Sequence, residues 1–364
     1  MANRRDIERR LLGDITDLST AGLGMADLFR ELNSLIRAGL PFDAGCWHGA
    51  DPATGFLTST VSEGLDVEGF RDSAQLELWS EDSTTFTAIR ASGQVTRSMV
   101  LGHQGRPERS VRYRELLSAW GFADELRVNF DLQGGRWGSA AIMRTRGGAA
   151  AFSPAELALM ERVSRQVASA LRGYYLPPDS EPAAEAGPAV AILGPNDTLV
   201  SADLRAHALI AELAEDVRLA DGIPSAFITA AKQARGLAVG GQAAAAARAL
   251  LRTPTGQWLV VQASALEGRP DGSVAVVVTP AAASERMPVA LLAFGLTARE
   301  RDIALEVLRG RSTQEMAARF SLSPVTVQDH LKSIFNRTGV RSRREFVAQM
   351  MMSHFPAVAE PPTR

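Results

Sequence analysis

From Pro324 to Thr338 the chain reads PVTVQDHLKSIFNRT, and its side chains fall where one kind of chemistry could use them. At about 100° per residue, Val325, Gln328, Asp329, Lys332 and Asn336 share one side of a helix, while Val327, Leu331, Ile334 and Thr338 share another. Thr326, His330, Ser333 and Arg337 form a stripe between them. On a helix that enters a DNA groove this division would give one face for packing, one for base edges and one for a phosphate strand. Gln makes a bidentate pair with adenine, Lys reaches guanine O6 and N7, and a Val methyl suits a thymine methyl, each good pair discriminating by about 1 to 3 kcal/mol. Asp329 can accept from cytosine N4, but its charge also weakens general binding near phosphates, so its part would be to exclude wrong sequences. The sequence leaves open that Asp329 is merely solvated and that His330 is a surface or packing residue.

A helix in this position needs neighbours that bury its aliphatic side, and the surrounding residues supply them. A helix start leaves N–H groups without partners, and a hydroxyl before the first turn with a Glu three residues on stabilises it by roughly 1 kcal/mol. Thr297 with Glu300, Ser312 with Glu315 and Ser342 with Glu345 have that spacing; Ser323 is followed by Pro324, which tolerates the first helical position. Gly310 and Gly339 supply stops. The spacing therefore predicts four short helices with apolar faces, the first carrying Ile303 and Val307, the second Met316 and Phe320, the fourth Phe346 and Met350. Only Ser321 and Leu322 separate the second helix from the cap of the third, which forces the sharp crossing of a helix-turn-helix.

Leu296-Thr297, Arg299-Glu300, Glu315-Met316-Ala317, Ser323-Pro324, Thr326-Val327, His330, Gly339-Val340 and Ser342-Arg343 together resemble the C-terminal DNA-binding domain of the LuxR family of bacterial transcription regulators, also called the GerE or NarL type. The resemblance implies that the third helix enters the major groove, with Ser323, Val325, Thr326, Gln328, Asp329, His330, Lys332 and Arg337 as its DNA-binding residues. It also implies a homodimer formed through the fourth helix, by Arg343, Phe346, Val347 and Met350. One departure is Gln314, where the family often has a phosphate-touching lysine; Arg311 or Arg319 would have to replace it.

The chain of 364 residues is long enough for two or three domains, with 46% apolar and 22% charged residues. Its formal net charge of −2 does not suggest nucleic acid, yet Leu296 to Met352 holds ten Lys or Arg against six Asp or Glu. A basic module under acidic upstream domains is what an appended DNA-binding domain should look like. The single cysteine, Cys46, excludes intramolecular disulfides and multi-cysteine metal sites. With no signal-peptide core and no apolar run of membrane length, the expectation is a cytoplasmic protein without a membrane partner.

Residues 1–176 read as a sensor domain: helices at 3–18 and 25–38, short strands at 42–48 and 56–61, helical patches at 67–79 and 108–120, and a hairpin of 126–132 with 137–144 through Gly134-Gly135. A capped helix from Ser153 closes it, and the arrangement resembles the GAF fold. Trp47, Trp79, Trp120 and Trp137 lie here, with Arg127, Phe130 and His48 nearby in sequence. Large aromatics are first read as ordinary core; the alternative is a ligand-binding pocket of Trp47, Trp120, Arg127, Phe130 and Trp137 for a small-molecule effector. Residues 177–188 read as a linker and 189–280 as a domain resembling the PAS fold, with two strands, a helix at 203–215 and three further strands. Its His207 reads as a helix-surface residue and not a haem ligand. The run Ala243 to Ala247 fits no element. Residues 281–288 read as a second linker, 289–354 as the DNA-binding domain and 355–364 as a disordered tail.

The fold class expected is thus multidomain α+β, with GAF-like and PAS-like antiparallel-sheet sensor domains followed by an all-α four-helix LuxR-type helix-turn-helix domain. Five scattered histidines, no phosphate loop and no serine elbow leave no catalytic or metal constellation, and no cofactor is implied. The expected function is a one-component transcription regulator whose partners are double-stranded DNA and RNA polymerase. The alternative is an interaction protein whose helical module docks on a sigma factor or the polymerase.

Overall fold

The computed structural model describes residues 4–65, 69–147, 151–176, 187–213, 222–240, 247–268 and 272–354. The first unit contains α1 (Arg4–Leu18), α2 (Met25–Gly39), β1 (Ala44–Ala50), β2 (Leu57–Glu63), α3 (Gly69–Trp79), α4 (Phe86–Ala91), β3 (Thr96–Ser98), α5 (Met99–Gly102), β4 (Phe122–Leu132), β5 (Gly135–Thr145) and α6 (Pro154–Gly173). Its five strands pair antiparallel in the order β2-β1-β5-β4-β3. Gln133 and Gly134, at φ 53° and 83°, form the two-residue hairpin turn between β4 and β5. The right-handed twist of a hairpin demands positive φ at both positions, so Gly135 enters the strand where the sequence had suggested a Gly134-Gly135 turn. Alternation along the strands separates two faces. Trp47, Leu126, Val128, Phe130, Ala140 and Ile142 pack with α2 and α6, whereas Ala141, Met143 and Ala44 face the other way, toward Phe86 and Met99. At the start of α6, Ser153 N–H donates to Glu156 at 2.7 Å and the Ser153 hydroxyl accepts from Glu156 N–H, the cap its spacing predicted.

The second unit contains β6 (Ala189–Leu193), β7 (Leu199–Ala202), α7 (Leu204–Leu213), α8 (Ser225–Val239), β8 (Ala247–Arg252), β9 (Trp258–Ala265) and β10 (Val274–Pro280). Its order, β7-β6-β10-β9-β8, repeats that of the first sheet. His207 is exposed on α7, and the alanine run lies outside the described residues up to Ala247, which opens β8. Helix α8 had no counterpart in the sequence reading. Residues 225–232 and Ala234 are all buried, so it has no amphipathic stripe to betray it. It is wedged between its own sheet and the first unit, with Trp79 Nε1 donating to the Lys232 carbonyl at 3.3 Å. A Cβ at Gly236 would lie 2.0 Å from the Trp79 ring, so the indole sits directly on the helix backbone there.

The two sheet units share one apolar core. Leu250, Trp258 and Val260 join the cluster built by α2, α6 and the first sheet. Tyr175 stands between Trp137 and Trp258, its ring centroid 5.5 and 5.6 Å from theirs, and donates to the Ala50 carbonyl at 3.1 Å. Most of the linker expected at 177–188 lies outside the described residues.

The C-terminal part is α9 (Ala283–Ala293), α10 (Ala298–Leu308), α11 (Thr313–Phe320), α12 (Pro324–Thr338) and α13 (Arg343–His354). The linker expected at 281–288 is occupied by the start of α9, a helix that runs through Pro288 with Glu285 accepting from Ala282 N–H at 2.7 Å. Met287 and Leu291 belong to the core of the four following helices, whereas Val289, Leu292 and Ala293 belong to the core of the first unit. The expected multidomain α+β organisation is present, and the tail at 355–364 lies outside the described residues. Among the described residues no helix is long and apolar enough to cross a membrane.

Candidate nucleic-acid interface

The four helix starts are built as their sequences predicted, with one variation. Thr297 N–H donates to Glu300 and Ser312 N–H to Glu315, both at 2.7 Å, and each hydroxyl accepts the return bond. Ser323 Oγ accepts from Thr326 N–H at 3.0 Å. At the fourth start Ser342 Oγ accepts from Glu345 N–H, but the Glu345 carboxylate reaches back one residue further, to Arg341 N–H. Gly339 and Gly310 take positive φ as stops. Ser321 also does, at 54°, and this left-handed serine makes the turn between α11 and α12. Leu322 N–H then donates to the Ala317 carbonyl at 2.9 Å, closing the end of α11.

Helix α12 is divided as its sequence implied. Val327, Leu331, Ile334 and Thr338 are buried, packed with Ile303, Val307 and Met316, while Gln328, Asp329, Lys332 and Asn336 are exposed. Val325 is 68% exposed, a large apolar side chain held in water in the first turn. The stripe between behaves in two ways. Ser323 is exposed, and Thr326 and His330 are half-buried, with Thr326 Oγ1 2.8 Å from Ser323 Oγ. Further along, Ser333 donates to Glu300 Oε1 at 2.5 Å and Arg337 donates to the Gly295 carbonyl at 2.9 Å. Arg337 is therefore partly spent on holding α12 to the segment before α10. Burial alone would raise the Glu300 carboxyl, but hydrogen bonds from Ser333 and Thr297 and the charge of Arg337 outweigh it and hold the group below its usual range.

Gln314 is exposed at the second position of α11. The two arginines offered as its substitutes both lean on the buried Glu306 carboxylate, Arg311 at 3.7 Å and Arg319 at 3.4 Å, together with Arg309 at 2.5 Å. The dimerisation set fares differently. Phe346 and Met350 are fully buried in the core of this domain, Val347 is half-buried, and Arg343 donates to the Val307 and Arg311 carbonyls. Phe346 and Met350 thus have no surface to offer a second copy, because α13 must close the bundle; its outward side chains include Arg344, Glu345 and Ala348.

The aromatic residues expected at a ligand pocket are not together. Trp47, Phe130 and Trp137 are fully buried on the α2–α6 side of the first sheet, with Trp47 and Phe130 stacked at 5.9 Å. Trp120 is half-buried beside the Phe86 and Leu117 cluster. A cavity of about 360 Å³ lies on the opposite side of the sheet, lined by Glu77, Thr85, Phe86, Asn129, Ser139 and, from α8 of the second unit, Thr229. Arg127 backs it, pairing with Glu77 at 2.8 Å, donating to the Thr84 carbonyl at 2.7 Å and lying 3.7 Å over the Phe86 ring. The hydroxyl of Ser139 is buried and has no hydrogen-bond partner among the described residues. Strand alternation could have found this face, since Arg127 and Asn129 in β4 and Ser139 in β5 are on the side away from Phe130; Thr229 had no sequence signal at all.

Deeper in the same face, Arg112 and Glu125 form a fully buried pair at 2.9 Å. Burial would raise the Glu125 carboxyl, but Arg112 and Arg127 keep it low. His48 sits 3.0 Å from Thr60 Oγ1, and burial, followed by the charges of Arg127 and Arg112, pushes its imidazole down to about 3. Burial pushes the Cys46 thiol up to about 11, which makes it an inert core group.

No curated protein matches the chain. Solved structures similar to it include the GAF domain of a phosphoenolpyruvate-protein phosphotransferase (ptsP) from Coxiella burnetii, at 17% identity, covering 47% of this chain and 95% of that one, with a TM-score of 0.31. The VqsR LBD domain from Pseudomonas aeruginosa is similar at 16% identity, 46% and 94% coverage and a TM-score of 0.31. The phage VqmA–DPO complex is similar at 19% identity, 48% and 85% coverage and a TM-score of 0.26. Scores of that size do not establish a shared fold. The family described as bacterial regulatory proteins, luxR family, matches residues 295–350. Those residues coincide with the capped helices α10 to α13 and the exposed polar face of α12, and they are a LuxR-family helix-turn-helix domain.

Proposed function

We propose that this chain is a one-component transcription regulator, in which residues 1–176 and 189–280 form a sensor and the helix-turn-helix domain reads a promoter. The observation that carries the reading is the division of α12: Gln328, Asp329 and Lys332 face water while Val327, Leu331 and Ile334 hold the helix in its bundle. Val325, Gln328, Asp329 and Lys332 are assigned to base edges, and Ser323, Thr326 and His330 to a phosphate strand. A homodimer on a two-fold-symmetric site follows from the way such modules reach two half-sites a helical turn apart. RNA polymerase is the partner at a promoter.

The effector site in this reading is the cavity between α3–α4 and the first sheet, where the buried Ser139 hydroxyl stands in a lining that mixes apolar groups such as Phe56, Leu78 and Phe86 with polar and charged ones. A small neutral molecule suits it better than an acid, because Glu77, Glu81 and Asp82 outnumber Arg90 among its charged lining groups. An effector acts only by its difference in affinity for two states. Thr229, which α8 contributes to the lining, puts the second unit in reach of that difference.

Mapping of the genomic fragments bound by the chain, followed by titration of one fragment over a range of salt, tests the proposal. Specific binding that weakens steeply with ionic strength supports it. A chain that retains no fragment above background is not a regulator of this kind.

A further inference from the structure

Three arginines from three different elements meet where the first unit touches the helix-turn-helix domain. Arg172, near the end of α6, donates to Gln133 Oε1 at 2.7 Å. Arg301 of α10 donates to the Leu296 carbonyl at 2.8 Å and reaches the Gln133 carbonyl at 3.5 Å. Arg337 of α12 donates to the Gly295 carbonyl at 2.9 Å. Gly295 is the point of convergence: a Cβ there would lie 2.3 Å from Gln133 Oε1 and 2.8 Å from a terminal nitrogen of Arg172. Among the described residues the carboxylate paired with this group is Glu300, 3.7 Å from Arg337 and already accepting from Ser333 and Thr297. Arg172 and Arg301 form no ion pair among the described residues, and the Arg172 Nε is shielded from water with no acceptor. Burial first, and then the charge of Arg337, lower the Arg172 pKa.

Holding like charges together costs free energy that an anion would recover. The stripe Thr326, His330, Ser333, Arg337 runs along α12 for about 16 Å and ends at this cluster. A phosphate strand following the stripe would arrive at the guanidinium groups. We propose that Arg172, Arg301 and Arg337 form a single phosphodiester-binding site, so that the first unit holds DNA directly alongside the helix-turn-helix domain. The site rests on the DNA-binding reading above and adds to it a contact from outside the family domain. DNA bound there would favour the docked arrangement of the two units, because the site takes Arg172 from one and Arg301 and Arg337 from the other.

The test uses the full chain, a duplex of mixed sequence and a series of salt concentrations. Phosphate contacts are indifferent to sequence, so no operator is needed. Arg172→Gln is expected to weaken binding to all duplexes alike and to reduce the slope of log K against log salt by about 0.9. Arg172→Lys keeps the charge and should keep the slope. Arg301→Gln, on the other side of the interface, provides a second variant with the same expected loss, and an unchanged melting curve shows that each variant is folded. A wild-type slope in both glutamine variants overturns the inference, as does tighter binding, which would mean that the cluster holds the domain away from DNA. Failure of the unaltered chain to bind any duplex is a separate result, and it removes the regulator reading together with this one.

Discussion

Ser333 donates to Glu300 Oε1 at 2.5 Å, while the other oxygen of the same carboxylate accepts from Thr297 N–H at 2.7 Å. One side chain therefore caps α10 and ties α12 to it. Glu300→Ala removes both bonds, leaves Ser333 half-buried without its acceptor, and is expected to destabilise the C-terminal domain by about 2 kcal/mol. Faster hydrogen exchange of the α12 amides is the measurement. Exchange as slow as in the parent chain would show that apolar packing alone holds the recognition helix.

Gln328 and Thr326 stand on different stripes of α12, the first exposed and the second half-buried against Ser323. Gln328→Ala should relax preference at one base position, at a cost of about 1 to 3 kcal/mol on the preferred site. Thr326→Ala should weaken every sequence by a similar factor. Binding of each variant to a panel of single-base variants of a mapped fragment separates the two, and equal loss on all sites for Gln328→Ala would refute the base-contact assignment.

The Ser139 hydroxyl is buried at the cavity without a partner. Ser139→Ala deletes an unmet desolvation cost and is expected to stabilise the free protein by about 1 kcal/mol, read as a higher melting temperature. Destabilisation by Ser139→Ala would mean that the hydroxyl has a structural partner, and the cavity would lose its best polar anchor.

His48 gives an acid-sensitive limb to the stability profile. Its folded pKa of about 3 lies below the ordinary 6.5, so between those values the unfolded chain binds a proton that the folded chain refuses. Stability therefore holds above pH 6.5 and falls as the pH drops through this window, by at most about 1.4 kcal/mol per pH unit for this one group. His48→Asn should flatten the dependence of melting temperature on pH just below 6.5. An identical slope in the variant would place the acid sensitivity elsewhere.

The C-terminal domain was the most readable part of the sequence because each of its signals is local. A hydroxyl and a carboxylate three residues apart must find each other whatever surrounds them, and the 3.6-residue period of Val327, Leu331 and Ile334 needs one partner surface. The dimer face implied by the resemblance was not legible in the same way, since Phe346 and Met350 also serve the core of the bundle itself. The sheets were legible through alternation and turn chemistry, whereas α8 was invisible because burial on all sides erases periodicity. The aromatic residues misled in a different way. Proximity in sequence says nothing about which face of a sheet a residue occupies, and a one-residue step separates Phe130 in the core from Asn129 at the cavity.

Val289 and Leu291 stand two positions apart on α9, yet each is embedded in a different body of the molecule. Turning that helix by one residue, about 100°, would set both against the wrong partners, so neither body can creep past the other along it. The segment works like a keyed shaft. A rotation of the sheets would have to carry Gln328 and Lys332 with it or pull Val289 or Leu291 out of its core.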